Sequence, residues 1–160
     1  MIELIRKAKK GDDSIISTIC KYKDKLPDKI FEAADEYDGL PYRIGGDGKT
    51  STDCGKFVQD VLCKLGFPID SRDADDIWEL FNDEGLITEN YEDAEPGDIL
   101  FFANTYGDFE EGTITHVGFF TEYNHMLHAS SSRGVCETGD FPYYWNEYFD
   151  SVGKLNFTKF

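Results

Sequence analysis

Long hydrophobic runs are missing from this 160-residue chain. No stretch approaches the roughly 18 apolar residues that a membrane-crossing helix needs, so a helical membrane protein is not expected. Basic residues are scarce: 16 Lys and Arg stand against 32 Asp and Glu, for a formal net charge of −16. Such a surface repels polyanions, so neither nucleic acid nor an anionic membrane is expected as a partner. Solubility is the plain reading of the charge. The four cysteines, Cys20, Cys54, Cys63 and Cys136, show no Cys-x-x-Cys spacing. A cysteine zinc site and a disulfide framework are therefore not indicated, and reduced thiols are expected. No internal repeat or low-complexity tract occurs. Met1 to Lys10 carries basic residues, but Gly11-Asp12-Asp13 follows in place of an apolar stretch, so no secretory signal is read there.

What is present is a composition for one folded domain: 40% hydrophobic and 15% aromatic residues, enough for a substantial core. Residues 1–26 read as an N-terminal helical segment with Ile2, Ile5, Ile15, Ile16 and Ile19 as its apolar positions. A second helix is predicted over Asp28 to Tyr37, with Pro27 suited to its start. Phe57, Val58, Val61, Leu62 and Leu65 share one helical face, and Gly66 with Pro68 closes that helix. A short helix is predicted around Asp76 to Phe81, with Trp78 and Phe81 read as packing residues in preference to cleft-lining ones. From Pro96 the texture becomes strand-like: 98–103, 113–120 and 125–129 are apolar runs of strand length, with edge strands at 135–137 and 155–160. The aromatic segment Phe141 to Phe149 has two readings, the wall of a groove or a cover over the sheet, and the cover is preferred. Helices first and an antiparallel sheet second make an α+β arrangement.

The chemistry gathers at few positions. A Gly-rich turn, Pro41-Tyr42-Arg43-Ile44-Gly45-Gly46, leads to Asp53-Cys54 at the start of the third helix. A helix N-terminus offers free N–H groups that favour a thiolate. The three histidines, His116, His125 and His128, lie within thirteen residues. In a hairpin centred near Glu122, His116 and His128 would be cross-strand neighbours on one face, and His125 would point away. A thiol, an imidazole to take its proton and a third group to orient that imidazole make a nucleophilic site. Cys54, His116 and His128 fill those roles in order. Two other readings use the same residues: satisfied core histidines, or a metal site of two histidines and a carboxylate.

Taken in order, Pro41-Tyr42-x-x-Gly45-Gly46, Asp53-Cys54, Pro96-Gly97-Asp98-Ile-Leu-Phe-Phe102, His116-Val-Gly-Phe119 and Leu127-His128-Ala129 resemble the NlpC/P60 cell-wall peptidases. The resemblance implies a papain-like fold, with residues 1–27 as a helical extension and 28–160 as the catalytic domain. It implies Cys54 as nucleophile, His116 as base and His128 as third polar residue. Tyr42 and Asp53 correspond to residues that bind substrate, Asp53 to one that meets a free amine. The reaction implied is hydrolysis of amide bonds in peptidoglycan stem peptides, commonly between D-Glu and the third residue. It passes through a thioester, with no metal or organic cofactor, in a monomer.

The chain departs from the family pattern at Gly55, where Asp-Cys is usually followed by Ser; this opens the question of specificity at the amine end. Lys56 is read as a solvated helix lysine. With no export signal read, the expected location is the cytoplasm of the producing cell, or the wall after delivery by phage or non-classical export. Two alternatives keep the fold: a thiol amidase or acyltransferase acting on a non-wall substrate, and a catalytically idle phage module.

Overall fold

The computed structural model describes residues 15–22, 25–122, 125–139 and 145–155. Helix α1 is Ile15–Tyr22, α2 is Leu26–Ala34, α3 is Cys54–Lys64 and α4 is Ala74–Asp83. The strands are β1 (Ile87–Thr88), β2 (Ile99–Ala103), β3 (Ile114–Phe120), β4 (Met126–Ser130), β5 (Gly134–Thr138) and β6 (Phe149–Gly153). They form one antiparallel sheet in the order β1-β6-β2-β3-β4-β5. This is the α+β architecture expected from the sequence.

Local chemistry accounts for the element that matters most, α3. Asp53 is its N-cap: the side chain accepts from the Lys56 N–H at 2.9 Å, satisfying a donor with no partner inside the helix. At the other end the Gly66 N–H donates to the Cys63 carbonyl and the Phe67 N–H to the Leu62 carbonyl, a Schellman closure. The face bearing Phe57, Val58, Val61 and Leu62 is fully buried. Tyr37, Phe57 and Phe119 meet edge-on in series, with ring centroids 5.7 and 5.9 Å apart. Each such contact contributes about 0.5–1.5 kcal/mol beyond area burial, and together they fix α3 between the end of α2 and strand β3.

The sheet buries both faces. One carries Ile99, Phe101, Val117, Phe119, Ala129 and Val135 into the main core with the helices, including Ile15, Ile16 and Ile19 of α1. The other carries Leu100, Phe102, Phe120, Met126 and Val152, covered by Tyr91, Trp145, Tyr148 and Phe149. His116 and His128 share the parity of this second face. Asp98, fully buried, ties the end of the sheet together: it pairs with Lys154 and accepts from the Leu155 N–H at 2.7 Å and the Glu95 N–H at 2.9 Å.

Several expectations need adjustment. The helix expected over Asp28 to Tyr37 begins at Leu26, and its last turn tightens into a 3-10 turn, Asp35–Tyr37. The short helix extends to Ala74–Asp83, with Phe81 buried against Phe101 and the Trp78 indole donating to Ser151 at 2.9 Å. Strand β6 was not foreseen. Phe149-Asp-Ser-Val-Gly lacks an apolar run, yet it sits between β1 and β2, so its neighbours rather than its own pattern hold it extended. Leu155 lies outside any strand, while residues 156–160, the N-terminal residues 1–14, the turn at Tyr123-Asn124 and the segment 141–144 lie outside the described residues.

Candidate active site

Helix α3 presents Cys54 as its first residue, buried with 6% of its surface exposed. Its Sγ donates to the Thr115 carbonyl at 3.8 Å, one residue before His116. Burial, and then the Asp53 charge, push the thiol up to about 11; the N–H groups of Val117, Gly55 and Cys54 offset part of this. The helix terminus therefore does not hold a resting thiolate, because burial outweighs it. The N–H groups of Cys54 and Gly55, in the first turn of α3, lie against the Cys54 thiol.

His116 and His128 stand on the same face, as their parity predicts, but the register differs from a hairpin centred on Glu122. The pairs Phe119↔Leu127 and Phe120↔Met126 set the alignment, which puts Gly118 opposite His128. A Cβ on Gly118 would lie 2.9 Å from the His128 Cβ. That missing side chain lets His128 reach diagonally along the sheet, and His116 Nε2 and His128 Nδ1 share a hydrogen bond of 2.7 Å. The chain of contacts continues: His128 Nε2 lies 2.8 Å from Thr138 Oγ1, which accepts from the Arg133 guanidinium at 3.0 Å.

Trp145 closes over this pair, stacked on His116 at 4.8 Å and 15° and edge-on to His128 at 5.7 Å. Burial holds His116 well below its usual range, with His128 adding to the effect. Burial, then the Arg133 charge, lower His128 to about 4. Burial thus favours the neutral thiol and the neutral imidazoles. Among the described residues no hydrogen bond joins Cys54 to His116.

Two adjoining cavities meet here. One, of about 400 Å³, is lined by Cys54, Asp53, Gly55, Arg72 and Thr115. The other, of about 520 Å³, is lined by His116, His128, Thr138 and Trp145. Tyr42, Ile44 and Tyr106 line both, so these side chains bridge the thiol side to the histidine side. Burial, and then the nearby thiol, raise the pKa of the Tyr42 and Tyr106 hydroxyls.

Asp53 lines the thiol cavity with its carboxylate already engaged. Beyond capping α3, it accepts from the Gly45 N–H at 2.8 Å and pairs with Arg72, whose other nitrogen donates to the Gly46 carbonyl at 3.0 Å. Gly55 has a steric origin: a Cβ there would lie 1.9 Å from the Arg72 carbonyl oxygen and 3.3 Å from the Ala74 nitrogen. The segment before α4 crosses so closely over the first turn of α3 that only hydrogen fits. Lys56 turns away to an ion pair with Asp60 at 2.5 Å. His125 stands apart from the pair, with Glu122 and Glu137 carboxylates 3.9 and 3.6 Å from its ring. Those three residues are the group among the described residues whose ligand atoms come close enough to hold a metal ion, within 4.8 Å of one another; His116 and His128 are not part of it.

A cysteine heading α3 thus lines one of two adjoining cavities, and two hydrogen-bonded histidines of the sheet line the other. The NlpC/P60 family model matches residues 39–154. The chain belongs to the NlpC/P60 family. It is 29% identical over 120 residues to the probable endopeptidase NlpC of Escherichia coli, covering 73% of this chain and 70% of that protein. It is also 29% identical over 159 residues to the bifunctional muramidase/DL-endopeptidase CwlT of Bacillus subtilis, covering 91% of this chain and 45% of that protein. A crystal structure from Staphylococcus aureus, described as similar to lipoprotein and of the NLP/P60 family, matches with a TM-score of 0.67 at 29% identity, over 84% of this chain and 42% of that one. The chain thus spans less than half of two of these three relatives.

Within this NlpC/P60 site, sequence reasoning missed Tyr106, Thr138, Arg133 and Arg72. Tyr106 lies in a polar loop and Thr138 at a strand end, and neither belongs to a motif. Trp145 sits in the segment read as a cover; it covers the sheet and also walls the cleft.

Proposed function

We propose that this chain is a cell-wall cysteine peptidase that hydrolyses amide bonds of peptidoglycan stem peptides, at the bond between D-Glu and the third residue. The observation that carries the reading is the 2.7 Å His116–His128 hydrogen bond in a cavity adjoining the one that Cys54 lines from the start of α3. The relatives named as endopeptidases support the reaction class.

The chemistry runs from neutral partners. With the His116 Nε2–H donating to His128 Nδ1, the Nδ1 of His116 is left as an acceptor for the thiol proton. A thiol held at about 11 and imidazoles held low make proton removal concerted with attack, since no resting ion pair is stable. Cys54 Sγ bonds to the amide carbon, and the oxyanion is received by the N–H groups of Cys54 and Gly55; one such donor is worth about 10²–10³ in rate. His116 then passes its proton to the leaving amine, the C–N bond breaks and a thioester remains. Water, deprotonated by His116, cleaves the thioester and restores the thiol. Tyr42, at the junction of the two cavities, is placed to hold the substrate backbone.

Cys54→Ala tests the proposal. The variant should release no stem-peptide fragments from purified wall material, read by mass spectrometry, while its circular dichroism spectrum stays that of the wild type. Fragment release at the wild-type rate would refute the assignment.

A further inference from the structure

The chain carries twice as many acidic as basic residues, yet none of the described residues lining the histidine cavity is acidic. The charged residue that lines it is Arg133. Among the described residues Arg133 meets no carboxylate; its guanidinium donates to the Thr138 hydroxyl at 3.0 Å. On the thiol side the pattern is reversed: Asp53, Asp73, Asp75 and Asp76 line that cavity, and its arginine, Arg72, is paired with Asp53. The cleft is therefore polarised along its length. An arginine lining a cavity in a chain of this charge, with one hydroxyl and no carboxylate as partner among the described residues, keeps most of its planar array of donors for a ligand.

Its position is fixed by the fold. Strands β4 and β5 pair from Met126↔Thr138 to Ser130↔Gly134, leaving Ser131, Ser132 and Arg133 as a three-residue turn. The turn is braced inside by Ser130 Oγ, 3.2 Å from Ser132 Oγ. It is braced outside by the Val135 N–H donating to the Leu40 carbonyl, next to the Pro41-Tyr42 motif. The Ser130 and Ser132 hydroxyls line the same cavity as the Arg133 side chain, and together they make a donor set suited to a carboxylate.

Resting on the peptidase reading above, we propose that Arg133, flanked by Ser130 and Ser132, is a carboxylate-binding subsite for the half of the substrate that leaves with the amine. The direction follows from the chemistry: His116 delivers its proton to the leaving amine, so the leaving residue lies over the histidine cavity. The ligand class is a peptide whose third residue carries a free carboxylate.

The test uses two matched stem tripeptides that differ in one group, a C-terminal carboxylate in one and a carboxamide in the other. The wild type should cleave the carboxylate form with a kcat/KM about ten-fold higher, through KM, as expected for one charge-assisted contact. In Arg133→Gln that ratio should fall toward one, and Arg133→Lys should retain part of it. Equal kcat/KM for both peptides in the wild type overturns the subsite. So does a loss in Arg133→Gln that is the same for both peptides, because Arg133 would then act through Thr138 and His128. Calorimetric binding of the two peptides to the Cys54→Ala protein reads the subsite without chemistry. Preference for the carboxylate there sustains the proposal; equal binding, or none, overturns it. A wild type that cleaves neither peptide refutes the peptidase reading, whatever the binding shows.

Discussion

Gly55→Ser restores the residue that usually follows Asp-Cys in the NlpC/P60 family, yet the structure predicts that it damages this protein. The first added atom decides the matter, so Gly55→Ala is the cleaner probe. Its Cβ would lie 1.9 Å from the Arg72 carbonyl oxygen, against about 3.4 Å for ordinary contact. Relief requires a main-chain displacement of about 1.5 Å, because both Arg72 O and Ala74 N are backbone atoms. Overpacking of this kind costs about 1–3 kcal/mol or more, while the helix-propensity gain of alanine over glycine returns about 0.5–1 kcal/mol. We expect a net loss of about 2 kcal/mol, which lowers Tm by about 4–8 °C in a chain of this length. Serine should cost more. Activity should fall further than stability, since the displaced segment carries Arg72 and Asp73 of the thiol cavity. Calorimetry and wall-digestion assays on the wild type and both variants make the measurement. Arg72→Ala should not rescue Gly55→Ala, because the obstructing oxygen belongs to the main chain. A Tm within about 1 °C of the wild type for Gly55→Ala would refute the steric argument.

Two further predictions concern the histidine pair. His128 is held at about 4, below its usual 6.5, so the unfolded chain takes up the proton first. The stability this neutral histidine brings is whole above about pH 6.5 and is lost as pH falls toward 4. The loss amounts to about 2 kcal/mol at pH 5, and His116 acts in the same direction. Urea denaturation at pH 7.5 and pH 5 should show this decline, flattened in His128→Asn; an unchanged decline in that variant would sink the assignment. Trp145→Ala removes the ring stacked on His116. Water then reaches the pair, the His116 pKa rises, and the acid limb of kcat/KM moves to higher pH. An acid limb in the same place as the wild type's would show that the ring does not shield the pair.

Much of this architecture is readable in the chain. The α3 face and its closing glycine are local signals, decided within a dozen residues, and the structure keeps them. Parity alone puts His116 and His128 on one face and His125 on the other. The exact pairing was not readable, because it turns on the hairpin's register and on Gly118 standing opposite His128, a cross-strand relation. Strand β6 was missed for the same reason: Phe149-Asp-Ser-Val-Gly becomes a strand through the β1 and β2 partners beside it.

What the sequence determined by itself was the order of motifs, the placing of Cys54 at a helix start and the class of fold, since each depends on residue type, short spacing or period. Only tertiary structure decided the electrical state of the site and the shape of its cleft. Burial raises the Cys54 thiol and lowers both histidines, against the influence of the helix terminus, and burial depends on segments distant in the chain. The Arg72 carbonyl over Gly55 is likewise a contact between separate segments, and Arg133 and His116 come to line one cavity only in the closed sheet. Periodicity and spacing report what a residue does to its own element. What another element brings up against it appears only when the chain is closed on itself.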